Sequence, residues 1–333
     1  MRAFVLTKYG GRSSAIFRDV PQPKPAAHEV LVKVNSAGLN PVDYKFRQSK
    51  LWPVYHPKLP VVMGNELAGT VVECGIAAQR FAVGDRIFVR GHKAQLGAFA
   101  EFAAVPEELA AKVPDRLDFV AAGGVPLAGL TALQVLRDEL QIKSGQRLLI
   151  TGGAGGVGTF AIQLAKWMGA EVWTTASAAG AALVKSLGTD HVIDYTRQAI
   201  EKEVQNLDGV FDTIGGQTLR QSFRVVRTGG KVVSIAGTPE PTTARKDLGR
   251  GPALTALFWL ASFRLRCLAW RHSVQYRYYF MHGNGADLAQ LAQLIDEGRL
   301  RVVVDRVFDF DRIQEAFAYL EQGHAKGKVI VLI

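Results

Sequence analysis

Three glycines give this sequence its clearest chemical signal. Gly153, Gly155 and Gly158 have the spacing G-x-G-x-x-G and follow a short apolar run at residues 147–151. Such a turn lets the backbone approach a pyrophosphate closely and directs the N–H groups of the next helix at it. The amphipathic helix that follows and a second strand at residues 171–176 complete a βαβ unit. The segment therefore predicts a dinucleotide site.

The residues after the second strand indicate which dinucleotide binds. Sites that select NAD have an acidic residue about 20 positions on, at the carboxyl end of that strand, where it holds the adenosine ribose. Here Ala176, Ser177 and Ala178 stand at that end, and Glu171 lies at the other. A carboxylate repels a 2′-phosphate, whereas a hydroxyl, phenol or cation holds one, so we predict NADP (NADPH). The candidate contacts are Ser177, Tyr195, Lys185 and Arg197.

Length and composition are typical of an enzyme with two domains. The chain has 333 residues, and 48% of them are hydrophobic, which is enough to build sizeable cores. Its first residues resemble a strand and not a basic and apolar leader, so we expect a cytoplasmic protein. Cys74 and Cys267 have no paired spacing, which argues against a disulfide scaffold, and we expect two buried thiols.

The pattern of the chain changes after its first third. Short β-rich runs separated by Gly and Pro turns predict a first domain dominated by strands. From about Ala121 onward, helices and strands alternate, which predicts a doubly wound parallel sheet of the α/β class. A final helix and strand are expected to rejoin the first domain. The predicted boundaries are 1–122, completed by 286–333, and 123–285, with a basic apolar insertion near 240–272.

The predicted elements of the alternating part are short and regularly spaced. Helices are expected at 130–139, 181–187, 218–226 and 311–322, and strands at 147–151, 171–176, 191–194, 210–214, 231–236, 274–280 and 328–332.

Six motifs are spread over nearly the whole chain. They are Ala37-Gly-Leu-Asn-Pro-Val-Asp43, Met63-Gly-Asn-Glu-Leu-Ala-Gly-Thr-Val-Val72, Val83-Gly-Asp-Arg-Ile-Phe88, Pro126-Leu-Ala-Gly-Leu-Thr-Ala132, the glycine turn and Asp194-Tyr195. Together they resemble the medium-chain dehydrogenase/reductase superfamily, in its zinc-independent quinone oxidoreductase branch. The resemblance implies a β-rich GroES-like catalytic domain, a Rossmann domain with a doubly wound parallel sheet, and a homodimer.

The metal-ligand positions of that superfamily are substituted here. Zinc-dependent members hold a catalytic zinc with a cysteine, a histidine and a second cysteine, and the matching positions are Asn40, Asn65 and about Leu127. Asparagine is a poor zinc ligand, leucine is none, and Glu66 alone makes no site. We therefore predict that the protein binds no zinc and has no metal site.

Without a metal, negative charge on a substrate oxygen needs hydrogen bonds or a cation. The resemblance places the loop after a first-domain strand beside the nicotinamide. In it we assign Lys45 as donor to the developing enolate or quinol oxygen, Asn40 as an amide partner of cofactor ribose or substrate, and Asp43 as an orienting group for the loop or the lysine. Alternatively, Lys45 faces solvent and Asp43 only caps a helix. The other expected cofactor contacts are Thr131, Gly153, Gly155, Gly156, Val157, Gly158, Ser177, Tyr195, Ile214 and Gly237.

The reaction that these residues suggest is a two-electron reduction by NADPH. Its acceptor is a quinone or the C=C bond of an α,β-unsaturated carbonyl, since both place charge on an oxygen. The alternatives are an NADPH sensor without catalysis and a weak RNA-binding protein. The net charge of +10 alone supports only weak nonspecific binding, and no recognition motif accompanies it, so nucleic acid is not an expected partner.

The segment from Arg245 to Arg277 carries most of the positive charge. It has seven basic residues and one acidic residue, which gives six of the chain's ten net charges. Its apolar residues 252–263 are too few to span a bilayer but suit a helix on a membrane surface, with contact through 252–277. A lid or dimer-interface helix is the interpretation that we prefer.

Overall fold

The chain divides into two units. The computed structural model describes residues 1–52, 54–91 and 97–333. Unit 1 comprises Met1–Leu130 and His282–Ile333, and unit 2 comprises Thr131–Met281. The predicted boundaries at 122/123 and 285/286 thus lie eight and four residues from the observed ones. The first boundary falls inside a single apolar helix, Pro126–Gln134, where composition gives no signal of a division.

Unit 1 is rich in strands, and we number elements along the whole chain. Its strands are β1 (Arg2–Leu6), β2 (Ala15–Asp19), β3 (Glu29–Leu39), β4 (Val61–Val62), β5 (Glu66–Cys74), β6 (Arg86–Arg90), β7 (Phe102–Pro106), β8 (Ala110–Lys112), β15 (Val304–Asp309) and β16 (Lys328–Leu332). Its helices are α1 (Pro41–Arg47), α2 (Phe119–Ala122), α10 (Gly285–Asp296) and α11 (Ile313–Glu321), and α3 (Pro126–Gln134) contains the boundary.

The long strand β3 organises unit 1. A seven-stranded sheet has the order β15-β16-β3-β5-β6-β8, with β7 also paired to β3, and a three-stranded sheet has the order β2-β1-β4. Strand β16 pairs with β3, so the C-terminal strand rejoins the first domain, as predicted. The core includes the buried rings of Phe4 and Phe99, each of which contacts the buried ring of Phe317. The carboxyl end of β3 leads directly into α1, which carries two predicted site residues.

Unit 2 alternates strand and helix. Its strands are β9 (Arg147–Ile150), β10 (Glu171–Ala176), β11 (His191–Asp194), β12 (Leu207–Asp212), β13 (Val226–Ser234) and β14 (Gln275–Tyr278). Its helices are α4 (Gly156–Trp167), α5 (Ala178–Ser186), α6 (Ile200–Glu203), α7 (Gly216–Val225), α8 (Pro252–Ala261) and α9 (Phe263–Arg271), with π-helical turns at Val135–Glu139 and Thr243–Asp247.

The six strands of unit 2 form one parallel sheet. Its order is β11-β10-β9-β12-β13-β14, which is the Rossmann order, and it confirms the predicted fold class. The chain reverses its direction of winding between β9 and β12, where such sheets bind ligands outside their carboxyl ends. The largest error in the predicted strands is at β13, which begins at Val226 and not at Lys231. Gly229 and Gly230 interrupt its apolar pattern and resemble a turn in the sequence.

The basic apolar insertion forms two helices. Among the described residues, no single helix is long and apolar enough to span a membrane. Helices α8 and α9 meet that criterion only as a pair, and they are bent by 61° at Ser262. Cys267 lies exposed on α9, so the prediction of a buried thiol is wrong for it, whereas Cys74 is half-buried.

Arg277 does not belong to the basic surface that the sequence suggested. It lies on β14 and is buried, and its guanidinium pairs with Asp247, Glu240 and Glu139. These three carboxylates raise its pKa against the opposing effect of burial. The positive charge of Arg277 is therefore neutralised inside unit 2, because a buried guanidinium needs acidic partners.

Candidate active site

The glycine turn connects β9 to α4 at the carboxyl edge of the sheet in unit 2. A Cβ atom at Gly153 would lie 2.1 Å from Thr174 Oγ1, and one at Gly158 would lie 2.3 Å from the carbonyl oxygen of Gly152. Neither distance allows a side chain. The Gly153 N–H also donates to the Thr175 carbonyl at 3.1 Å. The turn therefore has the tight form that the G-x-G-x-x-G spacing predicts.

Helix α4 begins directly after this turn. Gly156, Val157 and Gly158 form its first turn, and no side chain of the described residues caps it. The N–H groups of a first helical turn have no acceptor within the helix, and the helix dipole adds partial positive charge there. This end of α4 thus has the donors and the field that a diphosphate requires.

A buried carboxylate joins the loops at this edge, and the sequence analysis missed it. Asp212, at the end of β12, accepts hydrogen bonds from Thr151 Oγ1 at 3.0 Å and from Ser234 Oγ at 2.6 Å. Ser234 Oγ in turn accepts from the Gly237 N–H at 2.8 Å. The loops after β9, β12 and β13 are thereby fixed to one group, and two of them carry the predicted contacts Ile214 and Gly237. The sequence feature that could have identified Asp212 is an aspartate at the end of an apolar strand.

The sheet register brings together two candidates for a 2′-phosphate contact. Ala176 of β10 pairs with Asp194 of β11, so the next residues, Ser177 and Tyr195, occupy neighbouring positions at the same edge. Tyr195 is 60% exposed and Ser177 is half-buried. Arg197 is exposed two residues beyond Tyr195. A hydroxyl, a phenol and a cation are thus available at the position where NAD-selective sites have an acid.

Two other predicted residues lie elsewhere in unit 2. Lys185 is near the end of α5, seven residues beyond its start, which is about 10 Å along the helix at about 1.5 Å per residue. The structure therefore separates it from Ser177. Thr131 is buried in α3. Its predicted contact with a cofactor stays a prediction.

Unit 1 contains a second group of polar residues, which we call the polar cluster: Asn40, Asp43, Asn65, Glu66 and Lys328. All five are buried. Asp43 accepts hydrogen bonds from the Asn40 backbone N–H at 2.8 Å and from Asn65 Nδ2 at 2.6 Å. Asn40 Nδ2 donates to Glu66 Oε1 at 2.7 Å. The loop between β3 and α1 is therefore fixed from both sides.

Lys328 is the residue of this cluster that the sequence analysis missed. Its Nζ donates to Asn40 Oδ1 at 2.6 Å and to Glu66 Oε1 at 2.7 Å. It begins β16, and 262 positions separate it from Glu66, so no local spacing shows the pair. The antiparallel pairing of β16 with β3 brings the ammonium group into the cluster.

Asn40 is already fully used as a donor. Its amide N–H groups go to Glu66 and to the Gly38 carbonyl, and its oxygen accepts from Lys328. The structure therefore shows Asn40 as an anchor of the loop, and its predicted contact with cofactor or substrate stays a prediction. The cause is the buried carboxylate of Glu66, which requires donors in place of water.

Burial also changes the acid–base properties of this cluster. It raises the pKa of Asp43 from its usual 3.8 to about 7, against the lowering effect of the bonds from Asn65 and Asn40. Burial likewise lowers the pKa of Arg90, whose positive charge is supported by Asp43 and Glu66. A carboxyl that changes its charge near neutral pH is typical of functional sites.

Lys45 lies outside the polar cluster. It is two positions after Asp43 in α1, and residues at this spacing do not share a helix face. Asp43 therefore orients the loop and caps the helix but does not orient Lys45. The ammonium group of Lys45 is half-buried, which lowers its pKa, and it has no hydrogen bond or ion pair with any described residue.

The positions that match zinc ligands come together around two carboxylates. Asn40 and Asn65 bind Glu66 and Asp43 as described, and the Leu127 N–H donates to Glu66 Oε2 at 2.6 Å. Each position thus supplies a hydrogen-bond donor and no metal ligand. Over residues 1–52, 54–91 and 97–333, no three His, Cys, Asp or Glu side chains are placed to hold a metal ion.

Comparison with known proteins identifies the family. Residues 26–115 match the family described as Alcohol dehydrogenase GroES-like domain, and residues 187–331 match the one described as Zinc-binding dehydrogenase. NAD(P)H oxidoreductase RTN4IP1, mitochondrial, of Danio rerio is 33% identical over 100% of this chain and 91% of that protein. NADPH-dependent alkenal/one oxidoreductase, chloroplastic, of Arabidopsis thaliana is 36% identical over 99% of this chain and 79% of that protein.

Solved structures agree with these matches. The quinone oxidoreductase of Coxiella burnetii superposes with a TM-score of 0.85 at 29% identity, covering 100% of this chain and 99% of that one. The chain therefore belongs to the medium-chain dehydrogenase/reductase superfamily, in its zinc-independent quinone and enone reductase branch. This confirms the resemblance that the six motifs indicated.

Proposed function

We propose that the protein is an NADPH-dependent reductase of quinones or of the C=C bond of α,β-unsaturated carbonyls. The observation that carries the proposal is the carboxyl edge of the unit 2 sheet. There the uncapped first turn of α4 suits a diphosphate, and Ser177 and Tyr195 stand where NAD-selective sites have an acid. The name of the relative from Arabidopsis thaliana supports NADPH and an alkenal or enone acceptor, and the name of the relative from Danio rerio supports a nicotinamide cofactor.

The residues of unit 2 bind and orient the cofactor in this proposal. Bound NADPH supplies the hydride, and the protein supplies position and charge. The first-turn N–H groups of α4 hold the diphosphate, and Ser177, Tyr195 and Arg197 hold the 2′-phosphate. Asp212 keeps the three surrounding loops in place through its bonds to Thr151 and Ser234.

The residues of unit 1 stabilise the substrate. Both acceptor types gain negative charge on an oxygen when hydride reaches carbon, and a cation near that oxygen lowers the barrier. Lys45 is the cation we assign, because its ammonium is partly desolvated and pairs with no described carboxylate. The final proton comes from water.

We also propose that the reaction needs no zinc. The donors at Asn40, Asn65 and Leu127 are committed to the carboxylates of Asp43 and Glu66. The ammonium of Lys328 balances the negative charge of Glu66 inside the cluster. A buried carboxylate needs such a positive partner, and here the lysine provides it in place of a metal ion. The polar cluster therefore holds the Lys45 loop in place without a metal.

A homodimer is the assembly that we propose. Among the described residues, strand β14 lies at the edge of the parallel sheet with β13 as its strand partner. The Tyr278 carbonyl at its carboxyl end accepts a hydrogen bond from Thr243 Oγ1 at 2.7 Å, so a strand from a second copy would pair with the earlier residues of β14. Sedimentation velocity measures this, with a dimer as the expected result and a monomer at all concentrations as the contrary one.

Replacing Lys45 tests the catalytic assignment. In Lys45→Met, kcat for NADPH oxidation with a quinone or enone should fall about 100-fold, because the charge that stabilises the oxygen is lost. The KM for NADPH should stay within about twofold of the wild-type value, since the cofactor contacts are unchanged. The matched control is Lys58→Met, at an exposed residue of the same unit, which should keep wild-type kcat. Equal loss in both variants, or no loss in Lys45→Met, contradicts the assignment.

A further inference from the structure

Helix α8 is an apolar helix that faces water. Apart from Thr255, every residue of α8 is apolar, yet only Phe258 is buried. A helix that is apolar on all sides is ordinarily covered by protein or by lipid. We call the exposed side chains of α8 and α9 the α8–α9 surface; its large apolar members are Leu257, Trp259, Leu260, Phe263 and Trp270.

The large apolar side chains of this surface are exposed to different degrees. Trp270 is 83% exposed and Leu260 is 66% exposed, whereas Trp259 and Phe263 are about half exposed, at 47% and 49%. The rings of Trp259 and Phe263 lie 6.0 Å apart, so they form one continuous patch across the bend between the two helices. Contiguous apolar patches of this kind mark sites that bind another molecule.

The charge of the surface has one sign. Arg264 and Arg271 are exposed on α9, and the Arg266 guanidinium lies 4.8 Å from the ring of Trp259. Neither α8 nor α9 contains an acidic residue. Glu139, Glu240 and Asp247 pair with the buried Arg277 and not with these arginines. The surface is therefore apolar at its centre and positive at its edge.

The positive charge of the α8–α9 surface indicates which kind of molecule binds it. If a second copy bound through the same patch, Arg264 and Arg271 of the two copies would lie close together. Their like charges would repel each other and weaken such a dimer. An anionic bilayer matches both features, since tryptophan and phenylalanine partition to the headgroup level and arginines bind lipid phosphates. The 61° bend and the length of each helix suit a surface position.

We propose that the α8–α9 surface docks the protein on anionic lipid membranes. Trp259, Phe263 and Trp270 enter the headgroup region, and Arg264 and Arg271 contact lipid phosphates. The docking is peripheral and reversible, because it relies on one bent helix pair and a few charges. It is independent of the proposed reductase activity, since none of these residues belongs to the polar cluster or to the glycine turn.

Vesicle co-sedimentation tests the proposal. The full chain is mixed with vesicles of phosphatidylcholine alone or of phosphatidylcholine with phosphatidylserine. We expect binding to the anionic vesicles that falls with added salt, and much weaker binding to the neutral ones. The double variant Arg264→Gln/Arg271→Gln should bind anionic vesicles about 30-fold more weakly, at about tenfold per 1.4 kcal/mol and about 1 kcal/mol per arginine. The variant Leu260→Ser/Trp270→Ser should also lose binding.

Matched controls separate this surface from general charge and hydrophobicity. Arg18→Gln/Lys24→Gln removes two exposed charges from unit 1, and Ile76→Ser removes an apolar side chain that is 98% exposed there. Both should bind vesicles as the wild type does. All variants should keep wild-type NADPH oxidation, which shows that they are folded.

Three results would overturn the proposal. The first is no binding of the wild type to anionic vesicles. The second is equal loss in the unit 1 controls and in the α8–α9 variants. The third is a shift from dimer to monomer in the α8–α9 variants with vesicle binding unchanged, since a second copy would then be the occupant.

Discussion

Single residues carry the proposed cofactor choice and the local charge of this protein. Ser177 occupies the position at which NAD-selective sites of the fold have an acid, and its place beside Tyr195 follows from the pairing of Ala176 with Asp194. Lys45 and Asp43 are only two positions apart, yet one is without a partner among the described residues and the other is bound by two donors. The difference arises because α1 turns their side chains to different sides.

A carboxylate at position 177 should reverse the cofactor preference. In Ser177→Asp, the KM for NADPH should rise at least about tenfold, because the new charge repels the 2′-phosphate. The KM for NADH should fall, since the same carboxylate accepts hydrogen bonds from the ribose. Ser186→Asp adds the same charge at the other end of α5 and should change neither value. Steady-state kinetics with both cofactors measures this, and a parallel change in the two KM values would contradict it.

The buried carboxyl of Asp43 should make stability depend on pH. Its pKa is raised to about 7 in the folded protein, so the folded state keeps the proton to higher pH than the unfolded chain. This group therefore favours folding at low pH, and that contribution is lost as the pH rises from about 4 to about 7. The free energy of unfolding of the wild type, measured relative to Asp43→Asn by urea titration, should fall over this range. A difference that rises with pH would show that Asp43 is stabilised as an anion.

At the scale of elements, the carboxyl edge of the parallel sheet positions the glycine turn, Ser177, Tyr195, Ile214 and Gly237. The order β11-β10-β9-β12-β13-β14 places the loops after β9 and β12 side by side at the reversal of winding. The sequence showed these elements because their signals are local, namely an apolar run, a glycine turn and an amphipathic helix. It did not show Asp212 or Lys328 as site residues, since their partners are 61 and 262 positions away.

Gly158 and Gly155 should respond differently to an added methyl group. A Cβ at Gly158 would lie 2.3 Å from the Gly152 carbonyl oxygen, whereas one at Gly155 would lie 3.3 Å from it. Gly158→Ala must therefore displace α4 and should lower the melting temperature, whereas Gly155→Ala should fold as the wild type does but bind NADPH at least about tenfold more weakly, because its methyl group lies where the backbone must approach the diphosphate. Thermal unfolding and fluorescence titration with NADPH measure the two effects. Wild-type NADPH affinity in Gly155→Ala would mean that the turn does not bind the diphosphate.

At the scale of the whole molecule, two units carry separate parts of the proposed chemistry. Unit 2 contains the dinucleotide features and unit 1 contains Lys45 and the polar cluster. The motifs predicted both units and the alternation of the second, because each motif lies within a short stretch of sequence. The bend at Ser262 and the burial of Arg277 were not predictable, since both depend on packing between distant segments. The cytoplasmic location stays a prediction.

The transfer of hydride without a metal is the central claim, and isotope transfer tests it most directly. Protein treated with a strong chelator and freed of metal is supplied with NADPH that carries deuterium at the transferable C4 position and with an enone acceptor. We predict that mass spectrometry finds the deuterium on the product carbon, at the rate measured before chelation. Turnover that stops on metal removal and returns with Zn²⁺, or NADPH that binds without passing deuterium to the carbon of any enone and without being oxidised by any quinone, would contradict the account.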